Sequence, residues 1–89
     1  MSVDVFFMMI SENHNLFNDD YSERRDFVHN VGVLASQTRA CVEKITYFHQ
    51  DQSDLEIATI HYKNGYTKEV NISCNSWTAI VRDIFKNID

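Results

Sequence analysis

The stretch that decides the fold runs from residue 55 to residue 88 and reads LEIATIHYKNGYTKEVNISCNSWTAIVRDIFKNI. Leu55 to Lys63 alternates between apolar and polar residues, as a half-buried β-strand does. Asn64-Gly65 follows, and this pair predicts a two-residue type I′ turn, in which both positions need positive φ angles. Tyr66 to Ser73 is then expected to return antiparallel. The sequence therefore predicts a β-hairpin followed at once by a further element.

A two-residue turn also predicts the pairing register, with Lys63 opposite Tyr66 and Thr59 opposite Val70. The face expected to point toward the core carries Ile57, Thr59, Val70 and Ile72. The other face is expected to be half solvated, because its residues are mixed. Its members are Ala58, Ile60, Tyr62, Thr67, Glu69 and Asn71.

The segment after the hairpin has the pattern of an amphipathic helix. Asn75 or Ser76 is expected to cap its first turn. Apolar residues then recur at helical spacing, at Trp77, Ile80, Val81, Ile84, Phe85 and Ile88. This spacing predicts a helix that packs one face against the sheet.

Upstream, Val3 to Ile10 (VDVFFMMI) is apolar on both alternating faces. This pattern predicts a strand covered on both sides, or one with a face at a subunit interface. Ser11 to Asp19 is polar and rich in asparagine, and it predicts a loop. A helix is expected to begin near Asp20, which has capping-box spacing with Glu23.

The predicted first helix carries one apolar stripe, made of Phe27, Val28, Val31, Leu34 and Ala35. Gly32 lies inside this helix, where a close approach to the sheet would explain it. The helix is expected to fray around Ser36 to Arg39. Cys41 to His49 is rich in β-branched and aromatic residues and predicts the next strand.

The predicted order is therefore strand, helix, three strands of an antiparallel meander, and a helix, in one α+β domain that spans residues 1–89. The first strand, the first helix and the second strand should form a right-handed crossover, with the first strand parallel to a neighbour. Two layers are expected, with both helices on one face of the sheet.

Composition argues against several classes of function. The net charge of −5 disfavours nucleic-acid binding, which needs a basic face. The apolar run at residues 3–10 is too short to span a membrane and lacks the features of a signal peptide. Two cysteines, Cys41 and Cys74, do not form a disulfide framework. We therefore expect a cytoplasmic protein with free thiols, each buried at a strand end.

Motifs for catalysis and cofactor binding are missing from the sequence. The four histidines, His14, His29, His49 and His61, lack the spacing of a zinc pair, and no glycine-rich nucleotide loop occurs. Cys74 could meet His49 or His61 in space as a nucleophile and base. The alternative is that His61 is solvated beside Lys68, and we expect neither an enzyme nor a bound cofactor or metal.

Aromatic and basic residues surround the hairpin turn, at Tyr62, Lys63, Tyr66 and Lys68. Such residues can stack on or grip a binding partner, so these four are the candidate partner-binding residues. The alternative is that they cover the flank of the sheet while their polar ends stay in water.

Two segments of the last third of the chain, IATIHYKNGYTKEVNIS (57–73) and SWTAIVRDIF (76–85), resemble small uncharacterised proteins of Gram-positive bacteria and their phages. In those proteins a strand ending in Tyr-x-Asn/Asp-Gly turns into a Lys-Glu/Lys-Val-Asn strand, and a helix of Ala-Ile-x-Arg/Lys-Asp type follows. The matching positions are Tyr62, Asn64, Gly65, Lys68, Val70, Asn71, Ala79, Ile80, Arg82 and Asp83. The resemblance implies a phage or prophage context and brings no activity or active site with it.

The leading hypothesis is a non-enzymatic interaction or regulatory protein that acts through a protein partner. Its basis is the small size, the missing catalytic motifs and the continuous apolar run at residues 3–10. A self-associating structural component, such as a homodimer that hides a sheet edge, is the alternative. A small nucleic-acid binder or enzyme is the second alternative.

Overall fold

The computed structural model describes residues 21–89, which form an α+β structure of two helices and a three-stranded antiparallel sheet. In chain order the elements are α1 (Tyr21–Thr38), β1 (Val42–His49), β2 (Glu56–Tyr62), β3 (Thr67–Asn71) and α2 (Trp77–Ile88). The predicted strand Val3 to Ile10, the loop after it and the Asp20 cap lie outside the described residues. The predicted order with four strands is therefore not matched within residues 21–89.

The sheet is the predicted meander, with the strand order β1-β2-β3. The turn between β2 and β3, however, is not the predicted type I′ turn. The Gly65 N–H donates to the Tyr62 carbonyl at 3.0 Å, and the Tyr62 N–H donates to the Tyr66 carbonyl at 2.8 Å. Only Gly65 has a positive φ here, at 94°. Lys63, Asn64 and Gly65 thus form a three-residue loop, a type I turn followed by a glycine bulge.

The longer loop shifts the pairing by one residue, so the predicted register is wrong. Ala58 lies opposite Val70 and Thr59 opposite Glu69. Because side chains alternate along a strand, this shift moves the β2 residues to the other face. Ala58 and Ile60 are fully buried, whereas Ile57 and Thr59 lie on the partly exposed face. The predicted placement of Val70 and Ile72 in the core is confirmed.

Both helices pack on the same face of the sheet, because their buried residues share one hydrophobic cluster with those of all three strands. The predicted stripe of the first helix is confirmed, with Phe27 partly buried and the other members fully buried. The last helix also buries the predicted residues, and Ile88 packs against the cluster from its edge. The cluster consists of Val28, Val31, Leu34, Ala35, Val42, Ile45, Ala58, Ile60, Val70, Ile72, Trp77, Ile80, Val81, Ile84 and Phe85.

Gly32 lets α1 lie unusually close to β1. A Cβ atom at Gly32 would lie 2.8 Å from the backbone nitrogen of Ile45, closer than real side chains approach. The expected close approach to the sheet is thus confirmed. At the other helix, Ser76 is the N-cap, and its hydroxyl accepts a hydrogen bond from the Ala79 N–H at 3.2 Å.

Candidate functional site

Backbone and side-chain hydrogen bonds fix the conformation of the tip of the β2–β3 hairpin. Besides the two bonds that close the loop, the Tyr66 N–H donates to the Asn64 side-chain oxygen at 3.0 Å. The Lys63 N–H donates to the Cys41 carbonyl at 3.0 Å, which ties the tip to the start of β1. The tip is therefore a fixed platform for the side chains of Lys63 and Tyr66.

The four predicted partner-binding residues are not equivalent in the structure. Tyr62 is half-buried and packs against the core cluster. Lys63 is exposed, and Tyr66 is 73% exposed, the highest value among the large hydrophobic residues that the structure describes. Lys68 donates a hydrogen bond to the Asn87 carbonyl at 3.1 Å, in the last turn of α2. The free side chains at the tip are thus those of Lys63 and Tyr66.

All four lysines of the chain lie at this end of the molecule, which we call the hairpin end: the β2–β3 tip, the start of β1 and the C-terminal turns of both helices. Lys44 lies opposite His61 on the face of the sheet that also carries Ile57 and Thr59 and points away from the helices, which we call the open face. Lys86 is exposed in the last turn of α2. The C-terminal turns also meet here, since Arg39 makes two hydrogen bonds to Asp89, at 2.7 and 2.9 Å. Positive charge here also complements the helix C-termini.

The opposite end of the sheet holds a buried polar cluster that we call the Arg24 clamp: Arg24, Glu56 and Tyr47. The Arg24 side chain donates to a Glu56 carboxylate oxygen at 2.5 Å, and the Tyr47 hydroxyl donates to the same oxygen at 2.6 Å. Arg24 is 8% exposed and Glu56 only 2%. Burial and the hydrogen bond to Glu56 raise the pKa of Tyr47 well above its usual range.

The Arg24 clamp joins the connection between β3 and α2 to the rest of the fold. Arg24 also donates to the carbonyls of Asn75 at 2.9 Å and Ile72 at 3.4 Å. The Glu56 N–H donates to the Ser73 hydroxyl at 2.9 Å. The guanidinium lies 5.7 Å from the centre of the Trp77 ring. Since its polar groups form hydrogen bonds within the fold, the clamp is structural.

The two histidines considered as partners of Cys74 lie in different parts of the structure. Cys74 and His49 lie at the end that carries the Arg24 clamp, where the His49 ring stacks on Tyr21 at 3.6 Å. His49 Nε2 contacts the Ser53 carbonyl at 2.7 Å, so the ring already has a partner. His61 lies on the open face of the sheet, with Nε2 2.9 Å from the Thr46 hydroxyl, and not beside Lys68 as predicted.

The structure of residues 21–89 shows where the two cysteines and the metal-ligating residue types lie. Cys41 and Cys74 are both free and exposed, so the expectation that each is buried is wrong. Both lie in turns next to strand ends rather than inside strands, which leaves their side chains in solvent. Within the described part of the chain, no group of three or more His, Cys, Asp or Glu residues could hold a metal ion.

Tyr21 lies at the end of the sheet that carries the Arg24 clamp, and it interacts with an acidic residue there. Its hydroxyl contacts an Asp54 carboxylate oxygen at 3.4 Å. Burial and the Asp54 carboxylate raise the pKa of Tyr21 above its ordinary value. The carboxylates near the β1–β2 turn therefore make this end negative, in contrast to the hairpin end.

Comparison of the chain with models of protein families, with curated proteins and with solved structures finds no match. The resemblance to Gram-positive and phage proteins therefore stays a prediction. Within residues 21–89, neither helix is both long and apolar enough to cross a bilayer.

Sequence reasoning missed the Arg24 clamp, although one signal was present. Arg24 lies four residues before Val28 and seven before Val31, so it continues the apolar stripe of α1. A charged residue on such a stripe indicates a buried partner. Its partner, Glu56, is 32 residues away in the chain, and the wrong hairpin register puts it on the face that was expected to be half solvated.

Proposed function

We propose that this chain is a small non-enzymatic interaction protein that binds a protein partner through the tip of its hairpin. The observation that carries the proposal is the 73% exposure of Tyr66 at the end of a loop closed by hydrogen bonds. A tyrosine held in this way offers a large apolar surface and a hydroxyl with little conformational freedom to lose.

The surroundings of Tyr66 support the same role. Tyrosine is enriched among the residues that dominate interface energies, and such residues lie within a ring of less important contacts. Lys63 is exposed in the loop that precedes Tyr66, and Tyr62 packs against the core at the base of the hairpin. The tip thus combines a base packed in the core, one exposed aromatic ring and one exposed cation.

Self-association is the second candidate, and Phe48 is the observation in its favour. Phe48 is 56% exposed on the open face of the sheet, opposite the partly buried Ile57. In the sheet formed by residues 21–89, β3 is an edge strand, and its sequence argues against a dimer built on that edge. Full antiparallel pairing of β3 with a second copy would place residue 67 opposite 71 and Glu69 opposite its own copy, and like charges in that position repel.

The test uses the tagged full chain and two matched variants, Tyr66→Ala and Phe48→Ala. Each is incubated with a lysate of a Gram-positive bacterium, and bound proteins are quantified by mass spectrometry. A specific partner should fall by about tenfold or more with Tyr66→Ala, because truncation of a hot-spot residue costs about 2 kcal/mol or more. Phe48→Ala should leave it unchanged.

Two outcomes would contradict the proposal. Equal retention of every bound protein by Tyr66→Ala would remove the hairpin tip as the binding surface. A partner lost only with Phe48→Ala would move the interface to the open face. A concentration-dependent mass in light scattering that Phe48→Ala abolishes would support self-association instead.

We also propose a cytoplasmic location and a phage or prophage context. Two exposed free thiols, Cys41 and Cys74, favour a reducing compartment, where such residues persist without forming disulfides. The phage context rests on the resemblance of the hairpin and last helix. Alkylation of both cysteines in intact cells, followed by mass spectrometry, tests the first point, and oxidised thiols would contradict it.

A further inference from the structure

We propose that the partner contacts the hairpin end with an acidic protein segment, which the lysines at that end attract. This inference rests on the proposed function and adds the chemistry of the partner. Its basis is the unequal distribution of charge between the two ends of the fold.

The lysines of the chain are gathered at the hairpin end. Lys44, Lys63, Lys68 and Lys86 come from β1, the hairpin loop, β3 and α2, and the fold brings them to one end. Lys63 and Lys86 are exposed, and their ammonium groups appear in none of the ion pairs between described residues. Lys44 lies on the open face and Lys68 reaches the last helix on the other face, so the lysines occupy both sides of the hairpin end rather than a stripe along one helix.

The hairpin end also carries negative charges, and one of them is paired. Asp89 is neutralised by Arg39, whose side chain holds both of its carboxylate oxygens. Asp89 has its pKa lowered by that hydrogen bond, so it stays ionised within the pair. Among residues 21–89, Glu43 and Glu69 are the remaining acids on the strands nearby. Within this part of the chain, the lysines therefore outnumber the unpaired carboxylates at the hairpin end.

The opposite end has the reverse balance. Asp51 and Asp54 lie in the β1–β2 turn and are exposed, and Glu23 and Asp26 lie in the first turns of α1. Arg24 is buried there and neutralised by Glu56, so among residues 21–89 these four carboxylates are opposed by one exposed arginine, Arg25. A negatively charged partner is thus repelled by one end and attracted to the other, which orients the encounter.

A protein segment fits this surface better than a nucleic acid does. The chain as a whole carries a net charge of −5, and phosphate binding requires a basic face large enough to release many counterions. The hairpin end offers four lysines, one of which is already bonded to the Asn87 carbonyl. A few carboxylates that flank an apolar residue would match the lysines and the Tyr66 ring together.

The experiment titrates the ¹⁵N-labelled full chain with two probes of equal charge and follows amide shifts by NMR. The first probe is an eight-glutamate peptide with one terminal leucine, and the second is a thymidine oligonucleotide with eight phosphates. We expect the peptide to shift residues 62–68 and 86–89 and to leave residues 50–55 unchanged. The oligonucleotide should bind at least about fivefold more weakly.

Charge-reversed variants supply the control. Lys63→Glu/Lys86→Glu alters two exposed lysines, and Arg82→Glu alters one exposed cation on the same helix as Lys86 but farther from the hairpin. The double variant should weaken binding of the peptide by about tenfold at low salt, and Arg82→Glu by less than about twofold. The wild-type affinity should fall as salt rises, since exposed charges are screened.

Each remaining outcome overturns the inference. Equal or tighter binding of the oligonucleotide would assign the surface to nucleic acid. Shifts at residues 50–55, or none, would remove the acidic-segment site. Salt-dependent self-association lost in the double variant would make a second copy the occupant. If Tyr66→Ala loses its lysate partner but the charge-reversed double variant keeps it, the proposed function stands and this inference alone fails.

Discussion

The two ends of the sheet use polar side chains in opposite ways. At one end Arg24 and Glu56 are buried, and their polar groups bond to the Tyr47 hydroxyl, to carbonyls and to a serine hydroxyl. At the hairpin end, Lys63, Tyr66 and Lys86 point into solvent. Buried polar groups must find partners within the fold, whereas exposed ones can bind another molecule. The contrast separates residues that hold the fold together from those available for binding.

Arg24→Met should have the largest effect on stability, because it leaves the Glu56 carboxylate buried without its cation. The free energy of unfolding should fall by about 3–5 kcal/mol, measured by urea denaturation. Arg82→Met, at an exposed position, should change it by less than about 0.5 kcal/mol. The double variant Arg24→Met/Glu56→Met should recover much of the loss. Equal stability of Arg24→Met and the wild type would show that the clamp is not structural.

Gly32→Ala probes the contact between α1 and β1 that lies between the two ends. The added Cβ would lie 2.8 Å from the Ile45 nitrogen, so the backbone of one element must move. We expect a loss of about 1–3 kcal/mol in thermal or urea unfolding, although alanine favours helices. Asn30→Ala, on the exposed side of the same helix, is the control and should be neutral or stabilising. A stabilised Gly32→Ala variant would contradict the close approach.

Gly65→Ala tests whether the hairpin end also needs a particular backbone. At φ 94° an alanine is strained, while no atom lies within 4 Å to clash with it. The expected loss is about 1–2 kcal/mol in urea unfolding, from backbone strain alone. Gly65→Asn should lose less, because asparagine tolerates positive φ better. Identical losses for the two variants would mean that strain at this position is not the cause.

Tyr47→Phe should lower the free energy of unfolding by about 1 kcal/mol. It should also remove one contribution to the pH dependence of that free energy. The pKa of Tyr47 is raised above the ordinary value of 10.0. Its contribution is therefore complete below about pH 10 and is lost as the pH rises further, because the unfolded tyrosine ionises first. The difference in unfolding free energy between wild type and Tyr47→Phe should shrink above pH 10. A constant difference up to pH 11 would contradict the raised pKa.

Tyr66→Ala should have the smallest effect on stability, below about 0.5 kcal/mol, because the ring is mostly exposed. The same variant should have the largest effect on partner binding. Circular dichroism during thermal unfolding measures the first quantity, with Tyr62→Ala as the matched variant at a half-buried position. A loss for Tyr66→Ala as large as that for Tyr62→Ala would make Tyr66 part of the folded core.

Local patterns account for what could be predicted from the sequence. The bounds of α2 and the buried stripes of both helices follow from apolar spacing within single elements. The hairpin was also predicted, but Asn64-Gly65 is compatible with two loop lengths, and only the longer one puts Ala58 and Ile60 in the core. One extra loop residue was enough to exchange the two faces of β2.

Contacts between distant segments account for what could not be predicted. Lys63 and Tyr66 were recognised at the tip because the hairpin itself places them there. Lys44 and Lys86 join them only after β1 and α2 pack on the sheet, and no spacing in the sequence links these positions. The Arg24–Glu56 pair is similar, since it spans 32 residues and depends on the correct register.

The most direct test of the division between the two ends is site-specific photocrosslinking in the full chain. A benzoylphenylalanine is placed at position 66 in one variant and at position 51, in the exposed β1–β2 turn, in another. After irradiation in a bacterial lysate, the variant at position 66 should form one dominant adduct with a protein, and the variant at position 51 should form none. A dominant adduct at position 51, with none at position 66, would contradict the account.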